Sequence, residues 1–250
     1  MAFEFEIERA PNLDGVAHGF FGSAGGAHQF GFGGPGEVDA VRAMRAGAAD
    51  AIAPGAMVIT PHQTHSSDVI TVEQAWVDAP TGRPEGDAVV TATRGLALGI
   101  VTADCGPVLL ADAEAGVIGA AHAGWRGAHG GVLANTLAAM EALGARAERV
   151  AAAIGPTIAQ ASYEVDAPFR AHFTAAQDAH FTPAPERGGV ARWWFDLPGY
   201  IAVCLAEAGV RKIHDLARDT FPHPERYHSY RRASFQGAAG YGRNIALIAL

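Results

Sequence analysis

Three short segments of this 250-residue chain carry residues whose types suit metal or nucleophile chemistry. In Thr102-Ala103-Asp104-Cys105-Gly106-Pro107 a thiol sits between two apolar runs, and the Gly-Pro pair breaks the chain directly after it. Taken alone, Cys105 reads as a buried structural cysteine, since free cysteines are among the most buried residues. In Ala121-His122-Ala123-Gly124-Trp125-Arg126-Gly127 the small neighbours leave room beside the imidazole. Trp125 and Arg126 there offer an aromatic face and an anion binder, and the competing reading is a satisfied core histidine. His62-Gln63-Thr64-His65 places two histidines in a polar loop, where each alone reads as solvated. Considered together, His65, Cys105 and His122 each follow an apolar run, so strand ends converging on one rim of a sheet would unite them. A His₂Cys set leaves one open position on a tetrahedral zinc, the pattern of catalytic rather than structural sites. Zinc held there would act as a Lewis acid and lower the pKa of a bound water to about 7. Cys105 lies 40 positions after His65 and 17 before His122, which matches no compact zinc ribbon.

Arginines form a second theme. Arg42 and Arg45 fall in the first helical segment, and Arg231, Arg232 and Arg243 near the carboxyl end. Guanidinium forks suit phosphate, although salt bridges to the 26 acidic residues account for most arginines in such a chain. Cys204 shares an apolar helix face with Ile201 and Leu205 and reads as core. His129, His180, His214 and His223 have no supporting context.

The positioning elements follow from periodicity. Alternation predicts strands over Phe3–Glu8 and Val16–Phe21, and a glycine-rich loop fills 22–36. Val38, Val41, Met44, Ala48 and Ile52 share one face of a helix from Glu37 to about Ala53. Short strands are predicted at Met57–Thr60, Asp68–Glu73, Asp87–Thr91, Leu96–Thr102, Val108–Ala111, Val117–Ala121 and Val150–Ile154. Several are apolar on both faces, as buried strands are. A helix is expected from Gly130 to about Leu143. Asp166 and Asp196 are placed to cap helices over Ala167–Gln177 and Leu197–Ala208, each with a proline in its first turn, and Gly209 closes the second. Pro183–Gly189 reads as a loop, and Lys212–Leu216, His228–Arg232 and Asn244–Leu250 as strands. Strands and helices mix without a regular βαβ beat, so residues 1–250 are expected to form one α+β domain with mixed β-sheets flanked by helices.

Composition narrows the function classes. A net charge of −8 argues against a phosphate-backbone binder, so nucleic acid is not an expected partner. Two cysteines cannot make a disulfide scaffold. The segment 1–10 lacks a basic region followed by an apolar run, and Asp104 and Pro107 interrupt the longest apolar stretch, so neither a secretory signal nor a membrane span is expected. The expected location is the cytoplasm. No feature specifies an oligomeric state.

Gln63-Thr64-His65, Thr102 to Leu110, His122 to Gly127, Ile154-Gly155-Pro156, Ser229-Tyr230-Arg231-Arg232 and Gly242-Arg243 occur in the order seen in one family. From about residue 15 onward the chain resembles the laccase-domain, or polyphenol-oxidase-like, family of purine nucleoside phosphorylases, which includes the bacterial peptidoglycan editing factor. The resemblance implies an α+β domain and a zinc site at His65, Cys105 and His122. It also implies phosphorolysis of adenosine, inosine and methylthioadenosine, and deamination of adenosine. An older view of the family makes the metal copper and the activity polyphenol oxidation. Where the family carries Asn-Arg this chain has Met44-Arg45, and where it carries Cys-Thr this chain has Asp219-Thr220. In the mechanism implied, His65, Cys105 and His122 hold the metal, Arg45 holds phosphate and Asp104 orients a ligand. A different class, a Cys105–His122 amidase or peptidoglycan hydrolase, fits the same residues.

Overall fold

The computed structural model describes residues 3–250. The strands are β1 (Ile7–Glu8), β2 (Ala17–Phe21), β3 (Met57–Ile59), β4 (Val69–Thr71), β5 (Ala88–Thr91), β6 (Leu96–Thr102), β7 (Gly106–Asp112), β8 (Val117–Ala123), β9 (Ala151–Ile154), β10 (Glu164–Val165), β11 (Phe181–Arg187), β12 (Val190–Phe195), β13 (Lys212–Asp215) and β14 (Asn244–Ala249). The α-helices are α1 (Val38–Ile52), α2 (Trp125–His129), α3 (Val132–Ala142), α4 (Ala167–Arg170), α5 (Leu197–Glu207) and α6 (Tyr230–Phe235). One sheet has the order β1-β2-β14-β6-β3, a second β13-β9-β7-β8-β5-β4, and a small third β10-β12-β11. Most neighbours are antiparallel, but β3 runs parallel to β6, β4 to β5 and β13 to β9, so the two large sheets are mixed and the α+β expectation holds.

The side-chain period of two explains why so many strands are apolar on both faces. Along β7, Leu109 and Ala111 face Leu98, Ile100 and Ala246 of the five-stranded sheet, while Val108 and Leu110 face Leu133, Leu137 and Leu205 of the helices. Along β14, Ala246 and Ile248 enter that inter-sheet core, while Ile245, Leu247 and Ala249 face Ala48 and Ala49 of α1. The result is four layers: α1, the five-stranded sheet, the six-stranded sheet, then α3 and α5. Among the described residues no helix is long and apolar enough to cross a membrane.

Four expectations change. The 183–189 segment is most of an edge strand, β11, paired to β12 through a tight turn whose Gly188 and Gly189 have φ of 60° and 73°. Pro183 and Pro185 suggest a loop, but an edge strand leaves one side free of ladder bonds and tolerates them. The helix expected over 167–177 stops at Arg170. Asp166 caps it as expected, accepting from Phe169 N at 3.0 Å, and a separate 3₁₀ turn, Ala175–His180, begins with a Thr174–Gln177 capping box. The strand expected over 228–232 is instead the start of α6, because Ser229 accepts from Arg232 N and caps it. Of the strand expected over 3–8, only Ile7–Glu8 pairs. Asp196 caps α5, and Gly209, at φ 98°, closes it.

Three histidines are packed in uncharged form. His18 accepts from Ala10 N at 2.9 Å and donates to Val16 O at 2.8 Å, which fixes the neutral tautomer. His28 packs against Phe5 and Phe30, and His228 donates to His28 O at 2.7 Å. Burial lowers the pKa of all three below the ordinary 6.5. The unfolded chain therefore binds more protons once pH falls below that value, so their contribution is intact above about pH 7.5 and is lost as pH falls through 6.5 towards the lower folded values. The melting temperature should drop between about pH 7.5 and pH 5.5, and His18→Gln should flatten part of that slope in thermal scans. A slope unchanged by the substitution would contradict the assignment for His18.

Candidate functional site

Two of the three candidate residues lie on segments that join the two large sheets. The loop from β3 to β4 bears His65, the turn from β6 to β7 bears Cys105, and His122 lies near the end of β8. The residues therefore meet at one rim of the six-stranded sheet, as expected, where the loops arriving from the five-stranded sheet enter it. Their ligand atoms all lie within 4.8 Å of one another, with Cys105 Sγ 3.9 Å from His65 Nε2 and the two imidazole rings edge to face at 4.8 Å. His122 is buried, Cys105 half-buried and His65 exposed, so the group opens to one side. Gly124 clears that space: a Cβ there would stand 2.7 Å from Cys105 Sγ and 3.4 Å from His65 Cδ2. One soft sulfur and two imidazoles within this reach fit a zinc- or copper-sized ion.

Asp87, at the start of β5, organises two of the three. Its Oδ1 accepts from His122 Nδ1 at 2.7 Å. Its Oδ2 accepts from Thr64 N at 3.0 Å, Ser66 N at 2.6 Å and Ser66 Oγ at 3.0 Å, the residues on either side of His65. His65 itself has φ 61°, a left-handed conformation that a non-glycine residue keeps only when its surroundings hold it. Burial would raise the Asp87 pKa, but the hydrogen bond and charge of His122 outweigh it and hold the carboxyl well below the usual range. Burial likewise pushes the Cys105 thiol up, but His122 and His65 draw it down to about 6. On His122 burial opposes the charge, while the Cys105 thiolate and Asp87 raise its pKa. The site thus favours a thiolate beside positive charge, which is what a divalent cation would supply.

Asp104 makes its side-chain hydrogen bonds to the segment leading into α6, not to His65 or His122. Its carboxylate accepts from Thr220 Oγ1 at 2.6 Å, Ser229 Oγ at 3.0 Å and Arg231 N at 2.6 Å. It ties the start of α6 to the Cys105 turn and so brings Tyr230 to the site. Asp104 has φ 85°, which lets its side chain turn towards this segment while Cys105 faces the histidines. Asp219 accepts from Ala159 N, Phe221 N and Ser162 Oγ, a loop-building role away from the cleft. Met44 packs behind the five-stranded sheet.

The histidine–cysteine group forms the floor of a cleft of about 510 Å³. Arg45, Arg83, Arg126 and Arg243 line it and, among the described residues, no Asp or Glu does. For a chain of net charge −8 this is a marked segregation. Arg45 is 1% exposed and ion-paired to Asp78 at 2.7 Å. Arg42 pairs with Asp39 instead, and Arg232 donates to the carbonyls of Thr220, Phe221 and Tyr227, so both are structural. Tyr230 and Tyr241 stand 5.0 Å apart on one wall and Phe32 on another. Trp125, a candidate partner for an aromatic ring, packs mainly into a cluster with Phe169 and Phe173. Arg83 and Asp87 carried no motif in the sequence. A carboxylate four positions after a cationic residue, at the mouth of a buried strand, was the only signal available.

The profile of the multi-copper polyphenol oxidoreductase laccase family matches residues 15–250. A Deinococcus radiodurans protein named purine nucleoside phosphorylase is 40% identical over 97% of this chain and 92% of its own length. One of that name from Rickettsia conorii is 34% identical over 75% of each chain. Among solved structures, a Bacillus licheniformis hypothetical protein YfiH superposes with a TM-score of 0.85 at 22% identity, over 100% of this chain and 98% of that one.

If Asp87 holds both histidines in place, Asp87→Asn should keep the fold yet weaken metal binding by roughly 10–100-fold, the usual effect of losing such a carboxylate. Competition with a chromogenic chelator measures this. Affinity equal to the unaltered protein would show that Asp87 does not position the ligands.

Proposed function

The chain belongs to the multi-copper polyphenol oxidoreductase laccase family, and from that premise we propose that it is a metal-assisted purine nucleoside phosphorylase. The observation that carries this reading is the cleft itself: a His₂Cys group on the floor and four arginines around it, with no acidic residue among the described residues that line it. Such a lining selects an anion, and the relatives' name supplies the class of reaction in which an anion attacks. The nucleosides are adenosine, inosine and methylthioadenosine. Adenosine deamination, in which water adds to the purine carbon and ammonia leaves, is a further activity of the same site. The reading takes residues 1–250 as one domain, supported by the core shared between the two large sheets.

In phosphorolysis a phosphate oxygen forms a bond to the anomeric carbon of ribose while the bond from that carbon to the purine nitrogen breaks. The purine leaves with the bonding pair and takes up a proton, giving ribose 1-phosphate and free base. His65, Cys105 and His122 hold the metal, which we assign as zinc. When bound it supplies Lewis-acid polarisation. The arginines screen the repulsion that would keep phosphate from an electron-rich sugar, Arg45 and Asp78 shape the wall, and Asp87 keeps His122 oriented.

One observation favours a second reading. Cys105, His122 and Asp87 lie in the order nucleophile, base and orienting carboxylate, which would serve a thiol amidase or cell-wall hydrolase. His65 beside the same sulfur has no role in that scheme and one as a metal ligand.

Release of hypoxanthine from inosine should require phosphate, vanish in Cys105→Ala, be lost after chelation and return with added Zn²⁺. Chromatography of base and ribose 1-phosphate reads all four. A fully metallated protein that releases no base, or a metal-free one that keeps its rate and is stopped by thiol alkylation, would move the assignment to the thiol hydrolase.

A further inference from the structure

One wall of the cleft holds more positive than negative charge. Arg45 and Arg83 both lie over the Phe32 ring, with guanidinium carbons 4.1 and 5.3 Å from its centre. The Thr60 hydroxyl joins them. It accepts from Arg45 Nη1 at 2.9 Å and Arg83 Nη1 at 3.0 Å, and donates to Asp78 Oδ1 at 2.9 Å. Asp78 pairs with Arg45 through Oδ1, while its Oδ2 is buried without a donor; Arg45 Nε is also committed to Phe30 O at 2.6 Å.

Arg83 has no such partner. Its Nη1 reaches only the neutral oxygens of Thr60 and Pro61, at 3.0 and 2.7 Å. Its Nε is buried without an acceptor, and among the described residues no carboxylate forms an ion pair with it. Among the described residues its Nη2 has no acceptor, and the residue lines the cleft. Burial lowers the pKa of Arg45 to about 10, with Arg83 adding to the effect and Asp78 opposing it. Burial lowers Arg83 as well, against the attraction of Asp78. Both guanidiniums stay charged at neutral pH, so the group of three carries one net positive charge in a half-buried wall. Such a charge is costly until an anion completes it.

We propose that Arg83 is the residue that recognises the phosphate co-substrate, with Arg45 as its fixed support. The identity of the oxyanion rests on the phosphorylase reading, whereas the site itself rests on the uncompensated guanidinium. Arg45 is locked by Asp78, Thr60 and the Phe30 carbonyl and shapes the wall. Arg83 retains an unpaired charge and, at Nη2, a spare donor for a phosphate oxygen.

The test is calorimetric titration of the metallated protein with inorganic phosphate, beside Arg83→Gln, Arg83→Lys and the exposed control Arg211→Gln. Arg83→Gln should weaken phosphate binding at least tenfold, Arg83→Lys should recover part of it, and Arg211→Gln should leave it unchanged. In turnover, the KM for phosphate should rise in Arg83→Gln while the KM for inosine stays within twofold. Equal phosphate affinity in Arg83→Gln and the unaltered protein overturns the proposal, as does an unaltered protein that binds no phosphate. Phosphate bound through Arg83 without any base release upholds the subsite and sinks the phosphorylase reading instead. Adenosine 5′-monophosphate distinguishes the other source of the same group. Bound phosphate should survive saturation with adenosine, and displacement by the monophosphate at concentrations where adenosine has no effect would assign the site to a nucleotide and overturn the co-substrate role.

Discussion

The Asp87 carboxylate is the interaction on which the site depends. It is fully buried at the mouth of β5, and a charge placed there persists only if hydrogen bonds replace the lost water. Those bonds come from the His122 imidazole and from the backbone on both sides of His65. One carboxylate therefore couples the six-stranded sheet to a loop arriving from the five-stranded sheet. It also stabilises the left-handed backbone at His65, a conformation with an intrinsic cost. Cys105 completes the group from the other crossover between the sheets, where a second buried carboxylate, Asp104, binds the start of α6. Two aspartates thus hold two loops and one helix cap around a common point, and the four-layer core supplies the rigid frame behind them.

Charge divides the cleft's surroundings. Acidic side chains near the site are turned into structure: Asp87 to the ligand loop, Asp104 to α6, Asp78 to Arg45 and Asp219 to the 159–162 turn. The charged and aromatic side chains that remain facing the cleft are those of arginine, histidine, tyrosine and phenylalanine. An otherwise acidic protein thereby presents a local anion-attracting pocket beside aromatic faces, the combination that the proposed phosphate and purine partners require. Arginine serves here better than lysine, because a planar fork can stack on Phe32 or Tyr241 and still donate.

Much of this was legible in the sequence because periodicity survives without tertiary information. The runs at 96–101, 108–111 and 117–121 carry no polar side chain because β6, β7 and β8 are covered on both faces, and the caps at Asp166 and Asp196 act as their residue types dictate. The triad was legible through its motifs. The segments that misled did so for local reasons. Prolines on an edge strand resemble a loop, and Ser229 as a cap was masked by strand-forming neighbours. Asp87 and Arg83 were invisible for a deeper reason. Their importance comes from what lies across the fold, His122 at 35 positions and Thr60 at 23 positions in sequence, and no spacing rule links a ligand to the carboxylate that orients it. Arg45 shows the converse: its position was foreseen, yet the structure commits it to Asp78.

The proposed chemistry requires His65, Cys105 and His122 to hold one metal ion together. X-ray absorption spectroscopy at the zinc edge of the purified protein tests it most directly. One zinc per chain is expected, with a single sulfur at about 2.3 Å and two imidazole nitrogens at about 2.0–2.1 Å, the distances usual for such ligands. A spectrum without sulfur, or one with no imidazole scattering, would contradict it.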